Sequence, residues 1–402
     1  MIGSLLTAAG LLAGTVLAWR MHRLGPPAER PRTVSVVVPA RDEEHTLPEL
    51  LRSLDAAAGA GVTSAGTNVA EVTFEVIVVD DGSTDATAEV ARTRGATVLS
   101  AGAPPPGWLG KPWACHRGAG AATGEVLVFL DADVEVGPGA LDRLVGELDA
   151  RGGLVSVQPF HRTVRPYEEL SAYFNAVAVM GVGAAVPSFA GRAVTPTGAF
   201  GPCLATSVED YRRVGGHAAV AGRLLDDVHL GRAYLAHGLP VTCRVGGDDV
   251  RFRMYPAGFA QLVEGWSKNV ALGAVGTKPW AAIGAAAWVA TSAAVAFATM
   301  TGLGRWVGGG SVPWSALVGW AVVAAHLWWV VRRLGTFRWW TAAAFVVPLA
   351  AFMAIFARSA LLTVVRRRVR WRGRTVVLGG HVWGSDSDPG TCADPDTVEP
   401  TQ

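Results

Sequence analysis

Cysteine is scarce in this chain: four in 402 residues, Cys115, Cys203, Cys243 and Cys392, with no CxxC pair and no His-rich stretch beside them. That argues against a disulfide framework or a thiolate metal site, and the four read as free thiols in a reducing compartment. Cys203 reads as a small buried hydrophobe, not a nucleophile. Net charge is also nearly absent, +2 from 35 basic and 33 acidic residues. No Lys/Arg stripe interleaved with aromatics crosses the middle region, so nucleic acid is not an expected partner.

Charge is missing altogether from residues 2–19, an apolar run close to the roughly 20 residues that cross a bilayer. Arg20, His22, Arg23, Arg30 and Arg32 follow it. A cleaved signal peptide carries its basic residues before the apolar run, so 1–23 is expected to be an uncleaved anchor, with the next domain in the cytoplasm. Residues 280–300, 314–331 and 339–355 are further candidate spans, with Arg332, Arg333 and Arg338 between the last two. Three full crossings would place the arginines of 366–374 outside, against the positive-inside rule. Pro348 and Arg358 interrupt the final stretch, so either it turns back as a hairpin or the Ala-rich first stretch lies in the interface. The basic cluster is expected to be cytoplasmic. Residues 167–182 are apolar but carry Glu168, Glu169 and Asn175, which favours a core or interfacial helix over a span. The expected layout is an anchor (1–23), a cytoplasmic domain (33–278), membrane helices (279–365), a basic juxtamembrane segment (366–378) and a disordered tail (379–402).

From residue 33 the pattern alternates β-branched runs with helical stretches, which predicts an α/β domain built on a mostly parallel sheet. Strands are expected at 34–38, 74–79, around Val98 and at 126–130, and helices at 47–57, 86–93, 113–122 and 141–148. The small-residue stretch 59–67 is expected to be a loop. Ligands bind such sheets beyond the carboxyl ends of the strands. Three strands end in polar residues there: Pro39, Arg41, Asp42 and Glu43; then Asp80, Asp81 and Ser83; then Asp131 and Asp133. Any one set can be read as turn or capping chemistry, but carboxylates converging from three strands point to a site. Gly118, Gly120 and Gly124 mimic a dinucleotide fingerprint, but they follow a helical stretch and precede a strand, the reverse of what a nicotinamide site needs.

VVVPARDEE, VVDDGSTD, FLDADV and LLDDVHL, in that order, resemble the inverting family-two glycosyltransferases of the GT-A fold over about residues 33–273. The resemblance implies a nucleotide-sugar donor and a divalent ion, Mg²⁺ or Mn²⁺, that neutralises the departing diphosphate. Asp133, with Asp131, is the implied metal ligand, since hard divalent ions take carboxylate oxygens. Pro39, Arg41 and Glu43 would line the base pocket, and Asp80 or Asp81 would accept hydrogen bonds from uracil or ribose. The segment GWLGKPWACHRGA would close over the donor, with Lys111 as a donor contact and His116 as packing or surface. Asp226 stands where the family usually has Glu. Asp227 falls at the catalytic base, which takes the acceptor's proton as it attacks the anomeric carbon from the face opposite the diphosphate.

One departure bears on the acceptor. Processive members carry QxxRW, whereas here Gln261 is followed by LVEGWSKN, with Trp266 one place late and no Arg before it. That counts against polysaccharide synthesis. FGPC (200–203), GGH (215–217), RMYP (253–256), EGWSKN (264–269) and WRGR (371–374) resemble instead the bacterial subgroup that glycosylates lipids. Within that subgroup the nearest resemblance is to the 4,4'-diaponeurosporenoate glycosyltransferases, with hopanoid and ceramide glucosyltransferases further off. The implied reaction moves glucose from UDP-glucose to a carotenoid carboxylate, although an acceptor already ionised has less need of a base than an alcohol. A catalytically silent nucleotide-sugar scaffold is the alternative from another class, which the retained acidic elements oppose.

Overall fold

The computed structural model describes residues 2–59, 72–188, 194–366, 368–371 and 374–377. Most of the expected loop at 59–67, the tail 379–402 and Cys392 lie outside the described residues.

The elements run α1 (Ile2–Leu17), β1 (Thr33–Ala40), α2 (Leu47–Gly59), β2 (Thr73–Asp80), α3 (Thr87–Thr93), β3 (Thr97–Ser100), α4 (Gly110–Ala121), β4 (Val126–Leu130), β5 (Val134–Val136) and α5 (Ala140–Arg151). There follow β6 (Leu154–Gln158), β7 (Phe160–His161), a 3₁₀ turn (Pro166–Ser171), α6 (Ala172–Val182), β8 (Cys203–Ser207), α7 (Val208–Arg213), α8 (Asp226–Ala236), β9 (Val241–Val245), β10 (Val250–Phe252) and α9 (Phe259–Gly276). The last third holds α10 (Pro279–Val307), α11 (Trp314–Val331), α12 (Trp339–Ala343), α13 (Val346–Ala360) and a short hairpin, β11 (Arg368–Trp371) with β12 (Arg374–Val377).

Seven strands form one sheet in the order β3-β2-β1-β4-β8-β6-β9. β1 lies parallel to both β2 and β4, and β8 runs antiparallel between β4 and β6. The sheet is mostly parallel, as expected, with one reversed strand. β4 is buried along its whole length and β1 along most of its own, which is why their sequences read as unbroken β-branched and apolar runs. Pro39 lies past the last β1–β4 pair, Val37 with Phe129, so its missing N–H breaks no bond on that side. A second sheet, β5-β10-β7, stands beside the carboxyl end of β4.

α4 begins three residues before the expected 113, which brings Lys111 and Pro112 into its first turn. It sits so close to the sheet that a Cβ on Gly118 would come within 2.4 Å of Val37, and one on Gly124 within 2.7 Å of the Ser35 backbone. Of the glycines that mimic a dinucleotide fingerprint, Gly118 thus serves helix-on-sheet packing and Gly124 the close approach of the following turn to β1, while a Cβ on Gly120 would meet nothing within 4 Å. Residues 167–182 form a core helix with its preceding turn, and Tyr173, Phe174 and Asn175 are buried.

α10, α11 and residues 346–363 are long and apolar enough to cross a membrane. α1 runs antiparallel along α10: a Cβ on Gly10 would meet Thr291 at 1.9 Å, one on Gly14 would meet Trp288 at 2.3 Å, and Leu17 lies on Gly284. Small residues four apart permit this close helix crossing. At the end of α1, the Arg333 guanidinium stacks on Trp329 and donates to the Ala18 carbonyl at 2.8 Å.

The expected last span, 339–355, is divided. α12 ends at Ala343 and α13 starts at Val346, with Pro348 in its first turn, where a proline costs no helical bond. The carboxylate of Glu169, beside α6, accepts from the Arg338 amide at 3.1 Å and the Thr341 hydroxyl at 2.5 Å. At the far end of α13 the Ser359 hydroxyl donates to the Ser267 carbonyl at 2.6 Å. Between these ends, Trp320 within α11 donates to the Ala343 carbonyl and packs on Phe345. Both ends of the α12–α13 pair are therefore tied to the α/β domain or to α9 beside it.

Candidate active site

The loops after β1 and β2 hold each other in register. Asp42, at φ 52°, accepts from the Thr84 amide, and its own amide donates to Ser83. The Glu43 amide donates to Thr87 at 2.8 Å, and Glu44 and Asp85 exchange bonds with the backbone of Ala86 and of Glu44 itself. The Arg41 guanidinium, so positioned, lies 3.7 Å from the Asp81 carboxylate and donates to the Asp81 carbonyl at 3.3 Å. Pro39, Arg41, Glu43 and Asp81 line one end of a large cavity. Asp80 does not line it: its carboxylate accepts from the Ser83 amide at 3.0 Å and shapes the turn. The adjacent aspartates, indistinguishable by sequence, have different surroundings.

The next part of the wall comes from α4 and β4. Lys111 Nζ lies 2.6 Å from Asp131 Oδ1. Burial works against the lysine's charge, but Asp131, Asp226 and Asp227 outweigh it and hold its pKa well above the usual value. Asp131 is fixed from behind by its amide, which donates to Pro202 at 3.0 Å. Asp133 lines the cavity two residues on. Tyr255, at φ 60°, is buried, and burial together with the Asp133 charge pushes its phenol up. Among the described residues no cluster of three or more His, Cys, Asp or Glu is arranged to hold a metal ion by itself. Asp131 and Asp133 offer hard oxygens of the kind that bind Mg²⁺ through one or two carboxylates, the remaining ligands being substrate phosphates and water. The residues present fit an ion of that kind.

Asp226 and Asp227 open α8, where the helix N-terminus favours negative charge. Neither is its N-cap, which is Leu225. The Asp227 carboxylate accepts from the Val228 amide at 2.8 Å. Segment 198–201 packs flush on this turn: a Cβ on Gly201 would meet Asp227 Oδ2 at 2.7 Å, and one on Gly198 would meet Val228 at 2.8 Å. Burial, then the neighbouring charge of Asp226, push the Asp227 carboxyl up to about 6, against the pull of Lys111. A carboxyl so raised suits proton acceptance near neutral pH.

The cavity encloses about 1260 Å³, above the usual range for small-molecule sites. From the carboxylates it continues past Phe174 and Trp266 into the helices, where Ala282, Ala286, Val289 and Ala293 of α10 face Phe352 and Phe356 of α13. This apolar limb was not anticipated from sequence, nor was Lys268 of EGWSKN, which lines the same cavity. Other flagged motifs are structural. His217 of GGH is buried and bonded to Tyr211, and Arg253 of RMYP pairs with buried Glu168 at 2.8 Å. His116 packs with Trp108 and Trp113. Cys203 is buried in β8, its thiol pushed up by burial, as expected of a non-nucleophile.

The sequence model of "Glycosyl transferase family 2" matches residues 35–176. The 4,4'-diaponeurosporenoate glycosyltransferase of Staphylococcus haemolyticus (strain JCSC1435) is 36% identical over 282 residues, covering 68% of this chain and 71% of that relative. Its namesake from Staphylococcus aureus (strain USA300) is 40% identical over 252 residues, 62% of this chain and 63% of that protein. Among solved structures, mannosyltransferase PcManGT from Pyrobaculum calidifontis, in complex with GDP-Man and Mn2+, is similar over 91% of this chain and 99% of its own, with a TM-score of 0.49 and 20% identity.

Proposed function

Because this chain belongs to glycosyl transferase family 2, we propose that its cavity joins a nucleotide-sugar donor to a lipid acceptor, moving glucose from UDP-glucose onto a carotenoid acid with inversion. The observation that carries the reading is the continuity of one cavity from the carboxylates at the strand ends to the apolar limb between α10 and α13. A water-soluble donor and a membrane-soluble acceptor can meet only in such a space. The relatives' printed names supply the acceptor.

The enzyme is a glycosyltransferase with a GT-A domain, and the lining of the cavity supports the following residue roles. Pro39, Arg41, Glu43 and Asp81 hold the base and ribose. Lys111 and Asp131 meet the diphosphate, and Asp133 with Asp131 would hold a divalent ion, which neutralises charge on the leaving group. A carboxylic acid arriving from an apolar limb is kept protonated by desolvation. Asp227 takes that proton, the acceptor oxygen bonds to the anomeric carbon, and the bond to the diphosphate breaks with its electron pair leaving on UDP. Asp226 keeps Asp227 basic enough for the task.

The orientation in this reading is supported by the ties at both ends of α12–α13, to Glu169 and to Ser267. With α10 and α11 as one out-and-back pair and α12–α13 as a re-entrant one, the basic segment 366–378 lies on the same cytoplasmic face as the catalytic domain 33–278, and the positive-inside rule holds. The break in helix between α12 and α13 is tolerated at membrane depth because it is packed against protein, the Ala343 carbonyl accepting from Trp320 of α11. The purified protein is expected to release UDP from UDP-glucose several-fold faster when a thirty-carbon carotenoid acid is added. Release that ignores the acid, or that rises only with hopanoid or ceramide acceptors, reassigns the acceptor.

A further inference from the structure

Tyr255 holds a backbone conformation that its side chain disfavours. Among the described residues only Asp42 and Tyr255 combine a positive φ with a side chain, at 52° and 60°. Asp42 is accounted for by its bonds to Ser83 and Thr84, and short polar residues tolerate this region. A buried tyrosine does not, and such outliers persist only where the surroundings over-determine them, as they do at functional sites. The surroundings here are specific. The Tyr255 carbonyl accepts from the Tyr167 hydroxyl at 2.7 Å and from the Gly258 amide at 3.3 Å. The ring meets Trp266 edge to face, with centroids 5.9 Å apart, and Trp266 in turn stacks on Phe174. The ring also lies on Gly265 inside α9, where a Cβ would fall 2.1 Å from Cε1 and 2.5 Å from Cζ. Glycine weakens a helix interior, and at 265 it makes the room that this ring needs.

Packing alone would be served by phenylalanine. Tyr255 adds a hydroxyl that accepts from and donates to none of the described residues, on a buried side chain that lines the cavity. Buried tyrosines ordinarily find a partner for that group. The place of the ring along the cavity indicates what the partner is. It feels the charge of Asp133, at the diphosphate end, and it touches Trp266, past which the cavity runs into the helices. Between a departing diphosphate and an arriving acceptor lies the sugar being transferred. We propose that the Tyr255 hydroxyl is hydrogen-bonded to a hydroxyl of the donor's hexose. The assignment rests on the reading of the cavity as a nucleotide-sugar site, and adds to it a residue that recognises the sugar and not the nucleotide. Phenol and sugar hydroxyl can each donate and accept, so the pair needs no charge. A hexose held in this way keeps its anomeric carbon at one place, which attack from the face opposite the diphosphate requires.

The test measures the binding of UDP and of UDP-glucose, with Mg²⁺ and without acceptor, to the purified full chain and to Tyr255→Phe. Melting temperature is taken on the same samples and should hardly change, since the ring is kept. UDP-glucose affinity should fall by about 3- to 10-fold, the usual worth of a neutral hydrogen bond, with UDP affinity kept within about 2-fold. The four monodeoxy analogues of UDP-glucose then identify the contact. The analogue that lacks the contacted hydroxyl should bind wild type and variant alike, and the other three should keep the gap. Equal losses for UDP and UDP-glucose would put the phenol at the nucleotide or its metal ion and overturn the assignment. Undiminished UDP-glucose affinity, or a gap that survives on all four analogues, would overturn it in favour of packing. Failure of the donor reading itself looks different: wild type would bind neither UDP nor UDP-glucose, and the assignment would fall with it.

Discussion

Lys111 Nζ and Asp131 Oδ1 meet at 2.6 Å across the gap between the first turn of α4 and the end of β4. Both side chains are partly exposed, so the pair contributes only about 0.2 to 1 kcal/mol to stability, and the role proposed for it is at the donor. Lys111→Met is expected to leave thermal stability nearly unchanged while lowering the transfer rate by about 10² to 10³, the usual loss when a preorganised group that stabilises developing charge is removed. Lys111→Arg should recover part of it. Melting temperature and turnover measured on the same preparations check the split.

Asp133→Ala and Asp131→Ala are each expected to abolish transfer, and excess chelator should do the same to the unaltered protein, with Mg²⁺ or Mn²⁺ restoring it. Full turnover in chelator would show that Lys111 and the helix N-terminus of α8 carry the leaving-group charge without an ion.

The raised carboxyl of Asp227 sets a pH dependence. Below about 6 the group is protonated and cannot accept a proton, so turnover should fall roughly tenfold per pH unit there. Asp226→Asn removes the larger of the two neighbouring negative charges that, with burial, shift the group upward, so the acid limb of the profile should move to lower pH. Asp227→Asn should reduce turnover by about 10² to 10⁴ with donor affinity nearly unchanged. Because Leu225 is the N-cap of α8, the same change should cost little stability. A pH–rate series on the three proteins measures all of this.

Much of the site was legible because its residues sit directly after runs of β-branched residues, and a parallel strand buried on both faces announces its own end. Asp131 and Asp133 after β4, Arg41 and Glu43 after β1, and Asp81 after β2 all follow from that rule. The separation of Asp80 from Asp81 was not legible: it depends on which carboxylate turns toward Ser83, a matter of loop geometry. β8 was hidden because CLATS mixes small and polar residues and gains its place only by pairing with β4 and β6. Lys268 and the apolar limb were missed for a related reason. Alanines on one face of α10 look like ordinary membrane helix until Phe352 and Phe356 are seen across the gap.

The re-entrant reading of α12–α13 proposed above gives a prediction about orientation. A reporter fused after Arg374 is expected to read as cytoplasmic, since six arginines occupy 366–374 and oppose translocation. A reporter placed in the α10–α11 loop, at Gly309, should read as external. An external signal at Arg374 would make α13 a full crossing.

The stereochemistry of the product tests the central claim most directly. With α-linked UDP-glucose as donor and a thirty-carbon carotenoid acid as acceptor, the account predicts a β-glucosyl ester, one for each UDP released, identified by mass spectrometry and by the coupling constant of the anomeric proton. An α-ester, or UDP released with the acid recovered unchanged, would contradict it.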